Sequence, residues 1–317
     1  MKVDRPPTVL YLCTSTKRSA VKIPRRQLIT LLVTLVLLIA PSPSPSRAEN
    51  FHHKFEAGSH NEGPGSRKLR VLFIGNSYTY VNNLPGIVTG LAESAHESIE
   101  SEMIAAPGAT LKKHWDDGKA IDALRHGHWD YVVLQEQSTL GLVSQGGPPI
   151  NNPRTFHEYA RLFDSEIKSS GAKTMFFLTW ARQNLPETQS LLTDAYLSIA
   201  KELHGTVIPV GIAWQTALKK NPSVALHQKD LSHPTPAGSY LAGCVLYSTL
   251  YGRSAAGLTS RIVGNAIDAS GRVLDSHEDQ GAGSQHKSEL VNLSKPDSAF
   301  LQQVAWQTIS EDNRHRH

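Results

Sequence analysis

The chain has 317 residues and a formal charge of +4, but its positive excess is confined to the first part. Eight of the 32 Lys and Arg residues and one of the 28 acids fall within residues 1–48, so the other 269 residues carry a formal charge of −3. That balance offers little to a phosphate backbone and argues against nucleic acid as a partner, while the length suffices for one domain with its own core.

Residues 1–48 follow the plan of a secretory signal peptide. The basic stretch KRSAVKIPRRQ precedes the apolar run LITLLVTLVLLIA at 28–40, and PSPSPSRAEN then supplies small residues, with Ser46-Arg47-Ala48 as the cleavage site. The apolar run is shorter than the roughly 20 residues a membrane span needs. Export to the periplasm or the extracellular space is therefore expected, with no membrane span after cleavage; an uncleaved anchor is the alternative. Cys13 leaves with the leader and Cys244 stands alone, so no intramolecular disulfide is expected. Residues 49–69 are polar and glycine-rich and read as a flexible linker. Its His52, His53 and His60 have no cysteine or carboxylate cluster beside them, so they read as solvated tail residues; no metal and no organic cofactor is expected.

From residue 70 to 317 the chain reads as one domain. Val71-Leu72-Phe73-Ile74 is a continuous apolar run that suits a strand covered on both faces. Leu84, Ile87, Val88, Leu91, Ala92 and Ala95 recur at helical spacing, with Pro85 tolerated in the first turn. SEMIAA (101–106) reads as a second strand, DALRHGHWD as a helix end or loop, and YVVLQ (131–135) as a third strand. A helix closed by Gly171, a strand at 173–180, a helix closed by Gly205 and a fifth strand at 206–211 complete the alternation. Such alternation predicts a three-layer α/β/α domain around a central five-stranded, mostly parallel sheet. The Gly/Ser/Asp-rich residues 258–293 read as a loop excursion, and 294–310 as a C-terminal helix that docks Phe300, Leu301, Val304, Ala305 and Ile309 onto the body.

Two stretches carry chemistry. Ser77 follows the first strand, at the rim where open α/β sheets hold their ligands, although Ser, Asn and Gly are also turn and cap residues. Far along the chain, Thr235 can cap a helix that has Pro236 in its first turn and Gly252 at its end, which leaves Asp230 and His233 on the entering loop. Their separation lets the carboxylate reach one imidazole nitrogen and leaves the other free to take a proton from a serine hydroxyl. Alone, DLSHP reads sooner as a capped turn followed by a surface histidine; the pairing with Ser77 favours the catalytic reading.

The ordered set FIGNSYT, AAPGATL, WDYVVLQEQS and DLSHPTPAGSYLA resembles the motif blocks of the SGNH, or GDSL-type, hydrolases, in particular one branch catalogued as a domain of unknown function. The resemblance covers about residues 70–252. It implies a flavodoxin-like SGNH fold, Ser77 as nucleophile with His233 and Asp230, and an oxyanion hole made by the backbone N–H groups of Ser77 and Gly108. Asn76 replaces the acid of the usual Gly-Asp-Ser block. In the third block, normally Gly-x-Asn-Asp, the strand ends LQEQS, so Gln137 is the expected amide donor, with Gln135 the alternative. The implied activity is that of a secreted carboxylic ester hydrolase forming an acyl-enzyme. Its substrate would be a small-molecule or polysaccharide ester, with Asn76, Trp115 and Trp180 expected in the substrate pocket. The alternative is a non-catalytic carbohydrate- or surface-binding protein on the same fold.

Overall fold

Five segments of the sequence form five parallel strands in the computed structural model, which describes residues 67–142, 151–272 and 287–315. The expected leader, nearly all of the linker with its three histidines, and part of the 258–293 segment lie outside the described residues. The strands are β1 (Leu69–Gly75), β2 (Ile99–Ala105), β3 (Tyr131–Leu134), β4 (Lys173–Phe177) and β5 (Thr206–Ile208). They pair in the order β2-β1-β3-β4-β5, every pair parallel.

Period-two alternation along β1 divides the core into two halves. Val71 and Phe73 point to one face, where they join α2 (Leu84–Ser94), α7 (Val210–Lys220), α8 (Pro236–Tyr251) and α9 (Lys295–His315). Leu72 and Ile74 point to the other, against α3 (Leu111–Asp117), α4 (Lys119–His126), α5 (Pro153–Ser169) and α6 (Gln189–Leu203). The architecture is thus α/β/α in three layers, and both faces of β1 are buried, as its unbroken apolar run requires. The remaining short helix, α1 (Ser77–Tyr80), begins one residue past β1.

Helix α8 lies between other helices rather than on the surface. It is buried without a break from Gly238 to Ser248, which accounts for its lack of a polar face. The expected caps are in place: Thr235 Oγ1 accepts from the Gly238 N–H at 3.1 Å, and Gly252 ends the helix with φ +63°. Cys244 is fully buried in this helix, and burial pushes its thiol pKa up.

Three expectations are corrected. The fifth strand stops at Ile208, and Val210 opens a helix, α7, that the apolar run had concealed. His204, not Gly205, takes the left-handed position after α6. Gly205 is needed instead for close approach, since a Cβ there would stand 2.6 Å from the Phe176 ring. Finally, the 258–293 segment is not all loop: β6 (Arg261–Asn265) and β7 (Lys287–Asn292) pair antiparallel and bury Ile262, Leu290 and Val291. Ile262 lies over Gly90 of α2, which has no Cβ to obstruct it.

Candidate active site

The carboxyl ends of neighbouring parallel strands build the site. β1 delivers Ser77, the turn after β2 delivers Gly108, the segment after β3 delivers Gln137 and Ser138, and the segment after β4 delivers Arg182. The loop entering α8 adds Ser232 and His233. Together with Asn76, Tyr78, Tyr80 and Pro107 they line a cleft of about 260 Å³.

Ser77 opens α1, a four-residue helix capped by Asn76. All polar groups of Asn76 are engaged. Its Oδ1 accepts from the Tyr78 N–H at 3.1 Å, its Nδ2 donates to the Ala109 carbonyl at 2.9 Å, and its backbone N–H donates to Gln135 Oε1 at 2.8 Å. A carboxylate could accept from Tyr78 but could not donate to Ala109, so asparagine here ties the serine turn to the Gly108 turn. Asn76 lines the cleft, but its side chain is committed to holding the rim together. Gly75 is required by a close approach, because a Cβ would stand 2.5 Å from Thr79 Oγ1 and 2.6 Å from Gln135 Oε1. Gly108 is required by its backbone, at φ +61°.

Ser77 meets two side chains from the far end of the domain in line. His233 Nε2 lies 2.9 Å from Ser77 Oγ, and its Nδ1 lies 2.5 Å from Asp230 Oδ2. Asp230 Oδ1 meanwhile accepts from the backbone N–H groups of Ser232 and His233, each at 3.0 Å. Burial pushes the Asp230 carboxyl upward, but the hydrogen bonds from the imidazole and the two N–H groups outweigh it and hold the pKa at about 2. Leu231, between the acid and the next serine, adopts φ +63°, a conformation that non-glycine residues rarely take.

The two glutamines differ. Gln135 is fully buried; its Oε1 accepts from Asn76 N and Thr79 Oγ1, and its Nε2 donates to the Glu136 carbonyl at 2.6 Å. Both ends are spent on structure. Gln137 lines the cleft, and its Oε1 accepts from the Thr139 N–H at 2.5 Å and from the Thr139 hydroxyl. This fixes the carbonyl end, and no described hydrogen bond uses the amide nitrogen.

Sequence reasoning missed Glu136, whose carboxylate is buried beneath the rim. It accepts from Leu111 N at 3.0 Å, Gln137 N at 2.7 Å and Asn151 Nδ2 at 3.1 Å. It thereby joins the segment that follows Gly108 to the one that carries Gln137. Burial raises its pKa, against the opposing pull of these three donors. Tyr78, Ser138 and Arg182 were missed as well. Their only signal was proximity to a strand end, which polar residues without any role share.

Trp180 and Trp115 do not line the cleft, which corrects their expected place in the substrate pocket. Trp180 is the middle ring of a buried stack, 4.4 Å from Tyr78 and 4.0 Å from Trp214 between centroids, and its Nε1 donates to the Ser232 carbonyl at 3.0 Å. Trp115 packs edge-on against Tyr159 and Phe163, between α3 and α5. Both rings serve packing because the strand-end segments fold back over the core instead of standing open.

The strand order and the two helical layers make a doubly covered α/β fold. It is similar to a DUF4886 family protein from Bacteroides uniformis, at 16% identity over 77% of this chain and 95% of that one, with a TM-score of 0.53; at that identity the likeness is one of fold. It is also similar to a candidate SGNH hydrolase from Slackia heliotrinireducens, at 25% identity over 58% of this chain and all of that one, with a TM-score of 0.47. The acetyl xylan esterase AlAXEase aligns at 16% identity over 57% of this chain and all of that one, with a TM-score of 0.47. No protein-family model matches the sequence, and no curated protein is significantly similar to it. Among the described residues no helix is long and apolar enough to cross a membrane.

Proposed function

We propose that the protein is an exported serine hydrolase that cleaves a short-chain carboxylic ester. One observation carries the reading: the hydroxyl, imidazole and carboxylate of Ser77, His233 and Asp230 form a continuous hydrogen-bonded line on the wall of a cleft. Ser77 Oγ attacks the ester carbonyl while His233 Nε2 takes its proton, and Asp230 stabilises the imidazolium and fixes the tautomer. The carbonyl oxygen, now negative, is held by the backbone N–H groups of Ser77 and Gly108 and by the Gln137 amide. His233 then protonates the departing alcohol and draws a proton from the water that releases the acyl group.

A cleft of about 260 Å³ suits an acetyl or similarly short acyl group and leaves the alcohol open to solvent, which favours accessible esters such as those on carbohydrates. A fluorophosphonate probe tests the reading, since only an activated serine reacts. Stoichiometric labelling of wild type at Ser77 is expected, with none in Ser77→Ala. Equal labelling of the two proteins, or none in either, would remove the proposal and leave a binding protein on the same fold.

Glu136 enters this scheme as a positioning residue. Glu136→Ala leaves three donors without their acceptor, each costing about 1–3 kcal/mol when buried. The expected result is a lowered unfolding midpoint and a drop in kcat of about tenfold or more with KM held within about twofold, since one misplaced oxyanion donor can cost roughly 10²-fold. A fall in stability with kcat unchanged would confine Glu136 to a structural role.

A further inference from the structure

We infer that the cleft accepts esters bearing a second, anionic group, and that Arg182 is the residue that holds it. The inference rests on the hydrolase reading and extends it to a substrate class. Arg182 lines the cleft together with Ser77 and His233. Its Nε is shut off from solvent, yet it has no hydrogen-bond partner among the described residues. No described acid lies within ion-pair distance of its guanidinium. On the open surface the opposite holds: Arg125, Arg161 and Arg261 each grip a carboxylate, at 2.8, 2.6 and 2.9 Å.

The carboxylates of the site cannot supply the missing partner. Asp230 divides its oxygens between His233 and two backbone N–H groups. Glu136 accepts three hydrogen bonds beneath the rim. Residues 143–150, VSQGGPPI, follow the Gln137 segment and contain no charged residue. A partly buried cation without a counter-charge is costly, and a substrate anion would remove that cost on binding.

Position separates this role from oxyanion stabilisation. Arg182 follows β4, which is two strands from β1 in the sheet order. At the usual strand spacing that is about 10 Å from where the Ser77 segment leaves the sheet. Arg182 thus reaches the cleft from a different strand end than Ser77 and Gly108, whose backbone N–H groups face the oxyanion in the hydrolase reading. Residues with neutral hydroxyls, Tyr78, Ser138 and Ser232, line the cleft together with Arg182. Its charge bears on the Tyr78 phenol, which hydrogen-bonds Ser232 at 2.8 Å, and the anion such a site would take is a carboxylate, sulfate or phosphate.

Matched ester pairs test the inference with a carboxylate as the probe. On the acyl side, mono-4-nitrophenyl glutarate is compared with 4-nitrophenyl valerate. On the alcohol side, 4-acetoxybenzoate is compared with its methyl ester. With spontaneous hydrolysis subtracted, the wild type is expected to favour the anionic member of at least one pair by about tenfold or more in kcat/KM, and the side that responds locates the anion. The ratio should fall toward one in Arg182→Gln, survive in part in Arg182→Lys, and shrink as salt is raised. Turnover of the neutral esters with no anionic preference, or a preference that survives Arg182→Gln, overturns the inference and leaves the hydrolase reading standing. Absence of any turnover, together with absence of fluorophosphonate labelling, overturns both.

Discussion

Asp230→Asn is expected to lower kcat/KM for a short-chain ester by about 10⁴-fold, close to the floor set by Ser77→Ala, while the fold persists. The reason lies in how the carboxylate is shared. Oδ1 accepts from two backbone N–H groups, so an asparagine must keep its oxygen there. Its NH₂ then faces His233 Nδ1 in place of Oδ2. A donor in that position selects the tautomer whose Nε2 carries the proton, and such an imidazole cannot accept one from Ser77. Steady-state kinetics of wild type, Asp230→Asn and Ser77→Ala on one substrate would decide it. Near-wild-type turnover by the asparagine variant would show that the line through Ser77, His233 and Asp230 is not the reacting one.

The same carboxylate sets a pH expectation. Its pKa is depressed to about 2 in the folded protein, so the stabilisation it provides is present above its ordinary value near 3.8 and is lost as pH falls through about 2. Over pH 4–9 it stays ionised. A rate change within that window therefore originates in another group.

Trp180→Ala is expected to have the largest effect on stability, about 3–5 kcal/mol. The substitution removes the middle of three stacked rings, opening a void between Tyr78 and Trp214. It also leaves the Ser232 carbonyl without the indole N–H that it accepts from. Trp180→Phe restores part of the volume without the donor and should recover part of the loss. Urea unfolding of the three proteins reads this directly. A Trp180→Ala protein of unchanged stability but weakened substrate binding would return the ring to the pocket where the sequence first suggested it.

The strands and the Ser77, Asp230 and His233 trio were legible because their signals are local. An unbroken apolar run ending in Gly-Asn-Ser marks a strand and its rim, and D-x-x-H brings a carboxylate to an imidazole within one turn. Gln135 and Gln137 were harder to separate, for they are two residues apart and alternation puts them on the same side. The difference lies in Gly75, whose missing Cβ leaves room for Gln135 Oε1 to turn inward. Trp180 was misjudged because an aromatic residue just past a strand suits a sugar platform and a core stack alike. Glu136 and Arg182 gave no sequence signal, since their meaning depends on partners they have or lack across the fold. The hairpin of β6 and β7 escaped because its strands are short and 21 residues separate them.

The loop that carries Asp230 and His233 is fastened at Ser232 to the interior: the Ser232 carbonyl accepts from the Trp180 indole, and its hydroxyl meets the Tyr78 phenol at 2.8 Å. Tyr78 and Trp180 in turn belong to the packing beneath the sheet. Asp230 and His233 are thus moored to the buried core, and they have little freedom to wander while that core stays intact. On the hydrolase reading, heat should accordingly abolish turnover and melt the core in one concerted event, with no temperature range in which a folded body carries a slackened loop at 230–233.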